Sequence, residues 1–92
     1  MEHYMIIQFN KDCDAKEMYE SIKELFSGAS QIEGVRKAEV FLSSAPLRQR
    51  YDMMIKVRMN KGSLASFENS ELYRKWKEDY ADRIRKLTVF DS

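Results

Sequence analysis

"YDMMIKVRMN", residues 51–60, puts Tyr51, Met53, Ile55, Val57 and Met59 on one side of an extended chain and mostly polar residues on the other. Such alternation is the signature of a strand with one buried face, because successive side chains point to opposite faces of a sheet. "VRKAEVFLS", residues 35–43, alternates in the same way, and "YMIIQF", residues 4–9, is short and rich in β-formers. "LTVF", residues 87–90, is expected to supply the last strand.

Helical patterns fill the gaps between these strands. Asp14, three residues before Glu17, is a helix-start signal of capping-box type. Met18, Ile22, Leu25, Phe26 and Ala29 then form one apolar stripe on a helix expected over about residues 15–30. Gly34, in "QIEGV", is expected to turn the chain at positive φ. Pro46 lies in the connector "SSAPLRQR", where it leaves a central ladder undisturbed. A second helical region begins near Gly62 and Ser63, breaks at Asn69 and Ser70, and resumes with Leu72, Tyr73, Trp76 and Tyr80.

The resulting order, β-α-β-β-α-β, predicts an α+β fold of ferredoxin-like type: a four-stranded antiparallel sheet with both helices on one face. Ninety-two residues leave room for one core, hence a single domain over 1–92. In the expected register one face carries Met5, Ile7, Phe9, Ala38, Val40, Leu42, Met53, Ile55, Val57, Met59, Leu87 and Val89, and this face is assigned to the helices. The other carries Tyr4, Ile6, Phe41, Met54, Thr88 and Phe90 among Gln8, Glu39, Asp52, Lys56, Arg58 and Lys86. A sheet face with that many large apolar side chains reads as a contact surface, and the simplest partner is a second copy of the chain.

Composition excludes several function classes. A formal net charge of +1 provides no attraction for nucleic acid or an anionic membrane, and the apolar runs are too short to span one. The run "RKWKEDYADRIRK" is balanced by Glu78, Asp79 and Asp82 and reads as a solvated helix face. No aromatic RNA-binding signature of RRM type occurs in the third strand, and Gly28, Gly34 and Gly62 do not cluster into a phosphate loop. Cys13, the lone cysteine, sits between Asp12 and Asp14, which disfavour its thiolate; it reads as a spectator in a reducing cytoplasm. The N-terminus has no pattern of a secretory signal. One His, one Cys and scattered carboxylates show no metal-ligand spacing, and neither a metal nor a cofactor is expected.

The segments "HYMIIQF", "IEGV", "RYDMMIKVRM" and "KLTVFD", in this order over nearly the whole chain, resemble the stress-responsive A/B barrel (Dabb) family of the dimeric α+β barrel superfamily. The resemblance implies a homodimer in which two four-stranded sheets pack into one barrel. Many members carry H-P-x-H after an aromatic residue, and its last His acts as general acid/base. Here Phe67 matches the aromatic and Ser70, Glu71, Leu72 and Tyr73 occupy the four motif positions, so Tyr73 stands in place of that His. A phenol with a pKa of about 10 is a poor base near neutrality, though it can donate a hydrogen bond.

Two functional readings stay open at this point. In the first, the chain is a homodimeric module that binds a small apolar ligand or has a structural role. Its candidate pocket is His3, Met5, Met53, Phe67, Tyr73 and Trp76, and its candidate interface is Tyr4, Ile6, Phe41, Met54, Thr88 and Phe90. In the second, it is a cofactor-independent enzyme, cyclase- or monooxygenase-like, acting on a small aromatic or polyketide-like substrate with Tyr73 and His3 converging. The aromatic stripe Tyr73, Trp76, Tyr80 serves either as core, with Tyr80 nearer the edge, or as pocket wall.

Overall fold

The computed structural model of the protein describes residues 1–45 and 50–92. The reading of Pro46 falls outside the described residues. Strand β1 spans Glu2–Phe9, helix α1 Ala15–Phe26, β2 Val35–Leu42, β3 Met53–Met59, α2 Leu64–Glu68, α3 Glu71–Tyr80 and β4 Ile84–Asp91. Short 3₁₀ turns at Ala29–Gln31 and Ala81–Arg83 lead into β2 and β4. The strands form one antiparallel sheet in the order β2-β3-β1-β4, as the ferredoxin-like reading expects.

Local chemistry sets the element ends. Asp14 accepts a hydrogen bond from the Lys16 amide at 2.9 Å and caps α1. This helix is shorter than the apolar stripe predicts: it ends at Phe26, and Ala29 packs into the core from the following 3₁₀ turn. Ser70 divides α2 from α3. Its hydroxyl donates to the Phe67 carbonyl at 2.6 Å and accepts from the Tyr73 amide at 3.2 Å, closing one helix and capping the next.

Period two decides the core. Met5, Ile7 and Phe9 of β1 and Met53, Ile55, Val57 and Met59 of β3 are all buried, joined by Met18, Ile22 and Phe26 of α1 and by Phe67, Trp76 and Tyr80. Each buried aliphatic side chain of this size contributes roughly 1.5–3 kcal/mol relative to exposure. Bulges lie between Val35 and Lys37 and between Gln8 and Phe9, yet both sheet faces stay in phase.

Four expectations need correction. Tyr51 does not share the face of Met53: β3 begins only at Met53, and the Tyr51 hydroxyl meets Thr88 Oγ1 at 2.6 Å on the opposite face. The chain is anchored there by Asp52, whose amide donates to the Ile7 carbonyl and whose carboxylate accepts from the Phe9 amide. Second, Leu87 and Val89 have the predicted register on the helix side, opposite Ile7 and Met5, but are 44% and 50% exposed. They ride on an edge strand beyond the cover of the helices. Third, β4 runs from Ile84, because Gln8 and Phe9 of β1 pair with Lys86 and Ile84 across a bulge at Arg85, an extension that the charges of Arg85 and Lys86 concealed. Fourth, Tyr80 is core, and its hydroxyl meets Ser21 Oγ of α1 at 2.7 Å.

Gly34 and Gly62 both have positive φ, 83° and 89°. A Cβ on Gly34 would fall 2.8 Å from Ser63 Cβ, whereas one on Gly62 meets open space. Gly62→Ala is therefore expected to lose about 1–2 kcal/mol from backbone strain alone. Gly34→Ala should lose clearly more, and urea unfolding of the two variants side by side checks the ranking.

Candidate functional site

Two places on the fold carry the candidate residues. The first lies where β1 begins and β4 ends. Antiparallel pairing sets His3 directly opposite Asp91, and His3 Nδ1 donates to the Asp91 carboxylate. The imidazole is 3% exposed, while the aspartate faces solvent on its edge strand. A carboxylate on Nδ1 selects one tautomer and leaves Nε2 as the basic nitrogen. The Phe67 ring stands edge-on to the imidazole at 5.8 Å between centroids, and Tyr73 stands edge-on to Phe67 at 5.2 Å.

Phe67 thus occupies the space through which His3 and Tyr73 would converge. Met5, Phe67 and Trp76 are buried and packed, with Trp76 against Phe26 and Tyr80. Met53 is not part of this cluster. It pairs with Ile7 at the other end of β1, four residues from the register of His3, or roughly 13 Å along the strand. Tyr73 is half-buried, and its phenol is raised above its ordinary pKa, first by burial and then by the Glu68 charge. Both effects disfavour the phenolate and keep the group a protonated hydrogen-bond donor.

Asp91 is the residue that sequence reading missed. The signal lay in the register: with Met5 opposite Val89, the alternation of both strands brings His3 opposite Asp91. Also unforeseen is an open cleft of about 610 Å³ between α1 and α3, walled by Ser21, Glu24, Leu25, Lys75, Asp79 and Tyr80. It is lined by charges of both signs and open to solvent.

The second place is the sheet face turned away from the helices. Cross-strand register arranges it in rows. Phe41, Met54, Ile6 and Thr88 form one row across all four strands, and Glu39, Lys56, Tyr4 and Phe90 form the next. The interface residues expected from sequence are therefore adjacent. Tyr4, Ile6, Met54 and Thr88 are half-buried, whereas Phe41 and Phe90 are 43% and 60% exposed. Tyr51 crosses this face to reach Thr88, with Lys86 Nζ 5.7 Å from its ring centre. The Thr88 hydrogen bond, helped by Lys86, holds the Tyr51 phenol below its ordinary pKa against the opposing effect of burial.

Beyond the second row, Glu2 accepts from Arg58 Nη2 at 3.0 Å and from the Tyr4 hydroxyl at 2.9 Å, with Lys56 Nζ at 3.4 Å. The Arg58 hydrogen bond, followed by that of Tyr4, lowers the Glu2 carboxyl from 4.5 to about 2.

Three solved structures place this geometry among known folds. A dimeric protein of unknown function and ferredoxin-like fold from Bacteroides fragilis matches with a TM-score of 0.83 at 16% identity, over 99% of this chain and 92% of that one. A Dabb family protein with a ferredoxin-like fold from Mesorhizobium loti matches with a TM-score of 0.70 at 12% identity, over 99% and 92% of the two chains. The hydroxynitrile lyase of Passiflora edulis matches with a TM-score of 0.73 at 9% identity, over 97% and 87%. No family model and no curated protein matches the chain. At these identities the likeness establishes the ferredoxin-like fold, shared with a Dabb family protein, and not an activity. No helix among the described residues is long and apolar enough to cross a membrane.

The Glu2 cluster has a defined pH signature. A carboxyl whose folded pKa is depressed contributes stability above its unfolded value of 4.5, lost as pH falls through about 2. The urea midpoint of the wild type should therefore fall more steeply below about pH 4.5 than that of Glu2→Gln. Superimposable acid limbs would show that the cluster carries no linkage.

Proposed function

We propose that the chain is a Dabb-type, stress-responsive A/B barrel protein of the cytoplasm that works as a homodimer, with the helix-free sheet faces of two copies packed into one barrel. The observation that carries this reading is the uncovered row Phe41, Met54, Ile6 and Thr88 with Phe90 beside it, which leaves large apolar side chains in solvent on one face. Exposed aromatic and aliphatic side chains in a contiguous patch, rimmed by Glu39, Lys56, Arg58 and Lys86, have the composition of an interface. The dimeric state of the Bacteroides fragilis structure and the fold shared with a Dabb family protein support the same reading. In it the domain is a small-ligand-binding or structural module without a catalytic centre of its own. The closely packed rings around Phe67 support a structural role for the aromatic stripe.

The His3–Asp91 pair beside Phe67 and Tyr73 favours one second reading. A rotation of Phe67 would open a path between a tautomer-fixed imidazole and a hydrogen-bond donor, the two groups a cofactor-independent enzyme needs on a small aromatic substrate.

Light scattering at micromolar concentration is expected to give the dimer mass, and Phe41→Asp or Phe90→Asp to give the monomer, because each would bury a carboxylate without a partner. A monomeric wild type refutes the dimer; dimers that survive both substitutions refute the face. For the second reading, a thermal-shift screen of small aromatic acids and phenols should raise the melting temperature of the wild type and do so less in Tyr73→Phe. If no compound shifts the wild type, the enzyme reading is lost.

A further inference from the structure

The sheet face that the dimer reading joins to a second copy carries both a projection and a recess. Phe90, the most exposed of the large apolar side chains described, projects from edge strand β4 and is braced on one side by the tilted ring of Tyr4 at 6.2 Å. Toward the opposite edge of the sheet lies an open hollow of about 130 Å³, lined on this face by Ile6, Phe41, Met54 and Tyr51 and at its margin by Leu42, Ser43 and Met53. Its lining is chiefly hydrocarbon. It is open to solvent, so a side chain projecting from another copy can reach it.

We infer that Phe90 of each copy inserts into the hollow of the other, so that this one reciprocal contact anchors the dimer. The inference rests on the homodimer reading above and names its central contact. Three observations carry it. A twofold interface uses the same patch on both copies, so an anchor and its receptor must both lie on one face, as they do here. An axis running along the strands lays β4 of each copy over β2 and β3 of the other, and the projection and the recess sit on those two sides of the sheet. Phe90 lies one row from Met54 and Phe41, roughly 7 Å along the strand. A displacement of that order arises near the edges of twisted sheets that cross at roughly 30°. The chemistry agrees: an exposed phenyl ring and a chiefly hydrocarbon hollow are matched apolar surfaces, and the flexible thioether of Met54 can adjust to an aromatic face.

The test uses protein labelled with ¹³C on the methionine methyl groups, with the Met54 signal assigned by its loss in Met54→Leu. A dilution series across the monomer–dimer transition is expected to move the Met54 methyl upfield on association, because an inserted ring shields it. In Phe90→Leu that shift should vanish and the dimer dissociation constant should rise by about tenfold or more. Phe90 is largely exposed within one copy, so the variant keeps the fold, which its methionine methyl spectrum at high dilution confirms. A dimer whose Met54 methyl does not move, or moves equally in Phe90→Leu, overturns the insertion and leaves self-association standing. A chain that stays monomeric at every concentration removes both.

Discussion

Strand β1 is the member on which the rest of the fold depends. It lies between β3 and β4, and its antiparallel pairings place Met5 beside Ile55 and Val89 and Ile7 beside Met53 and Leu87. A shift of one residue in either ladder would exchange the two faces of a strand and put Met5 and Ile7 in solvent. The register is pinned at both ends by groups that do not depend on burial alone. Asp52 holds the amide of Phe9 at one end, and Asp91 holds the ring of His3 at the other. Helices α1 and α3 can then dock on a surface whose shape is already decided, with Phe26 against Trp76 and Ser21 against Tyr80.

Much of this architecture was legible because it rests on periodicity. The alternation in β3 and in β2 is an intrinsic consequence of one buried face, and the break at Asn69–Ser70 announces itself through residues that cap better than they propagate. What stayed hidden depends on position in the sheet. Leu87 and Val89 have the right parity for burial and are exposed because, among the described residues, no helix overlies the edge strand. Tyr51 has the parity of Met53 and the opposite direction, since the ladder starts two residues later. For the candidate site the two sources differ. Phe67 and Tyr73 were singled out by the aromatic spacing and the family resemblance, whereas the partner of His3 came only from cross-strand register, 88 residues away in sequence.

The two sheet faces divide the chemistry of the molecule. On the helix side, packing is dense and the one buried imidazole is already paired. On the other side, the chiefly apolar row Phe41, Met54, Ile6 and Thr88 adjoins a mixed row in which Glu39 and Lys56 sit beside Tyr4 and Phe90, and Glu2, Lys56 and Arg58 form a cluster at one end while Tyr51, Thr88 and Lys86 form another toward the opposite end. Charged clusters at both ends of an apolar row disfavour alignments of two sheets that set those charges against hydrocarbon. In the proposed dimer, the alignment of the two sheets thereby follows from the same strand register that organises the core.

The hydroxyl of Ser70 has a consequence for the aromatic cluster that reaches beyond capping. Phe67 and Tyr73 are six residues apart, and on an unbroken helix that spacing would turn their side chains roughly 120° away from each other. The bend between α2 and α3 brings the rings together instead. A single oxygen, donating to one helix and accepting from the next, thus acts as the joint of an elbow: straightening it would draw Tyr73 off Phe67 and uncover the ring that screens His3.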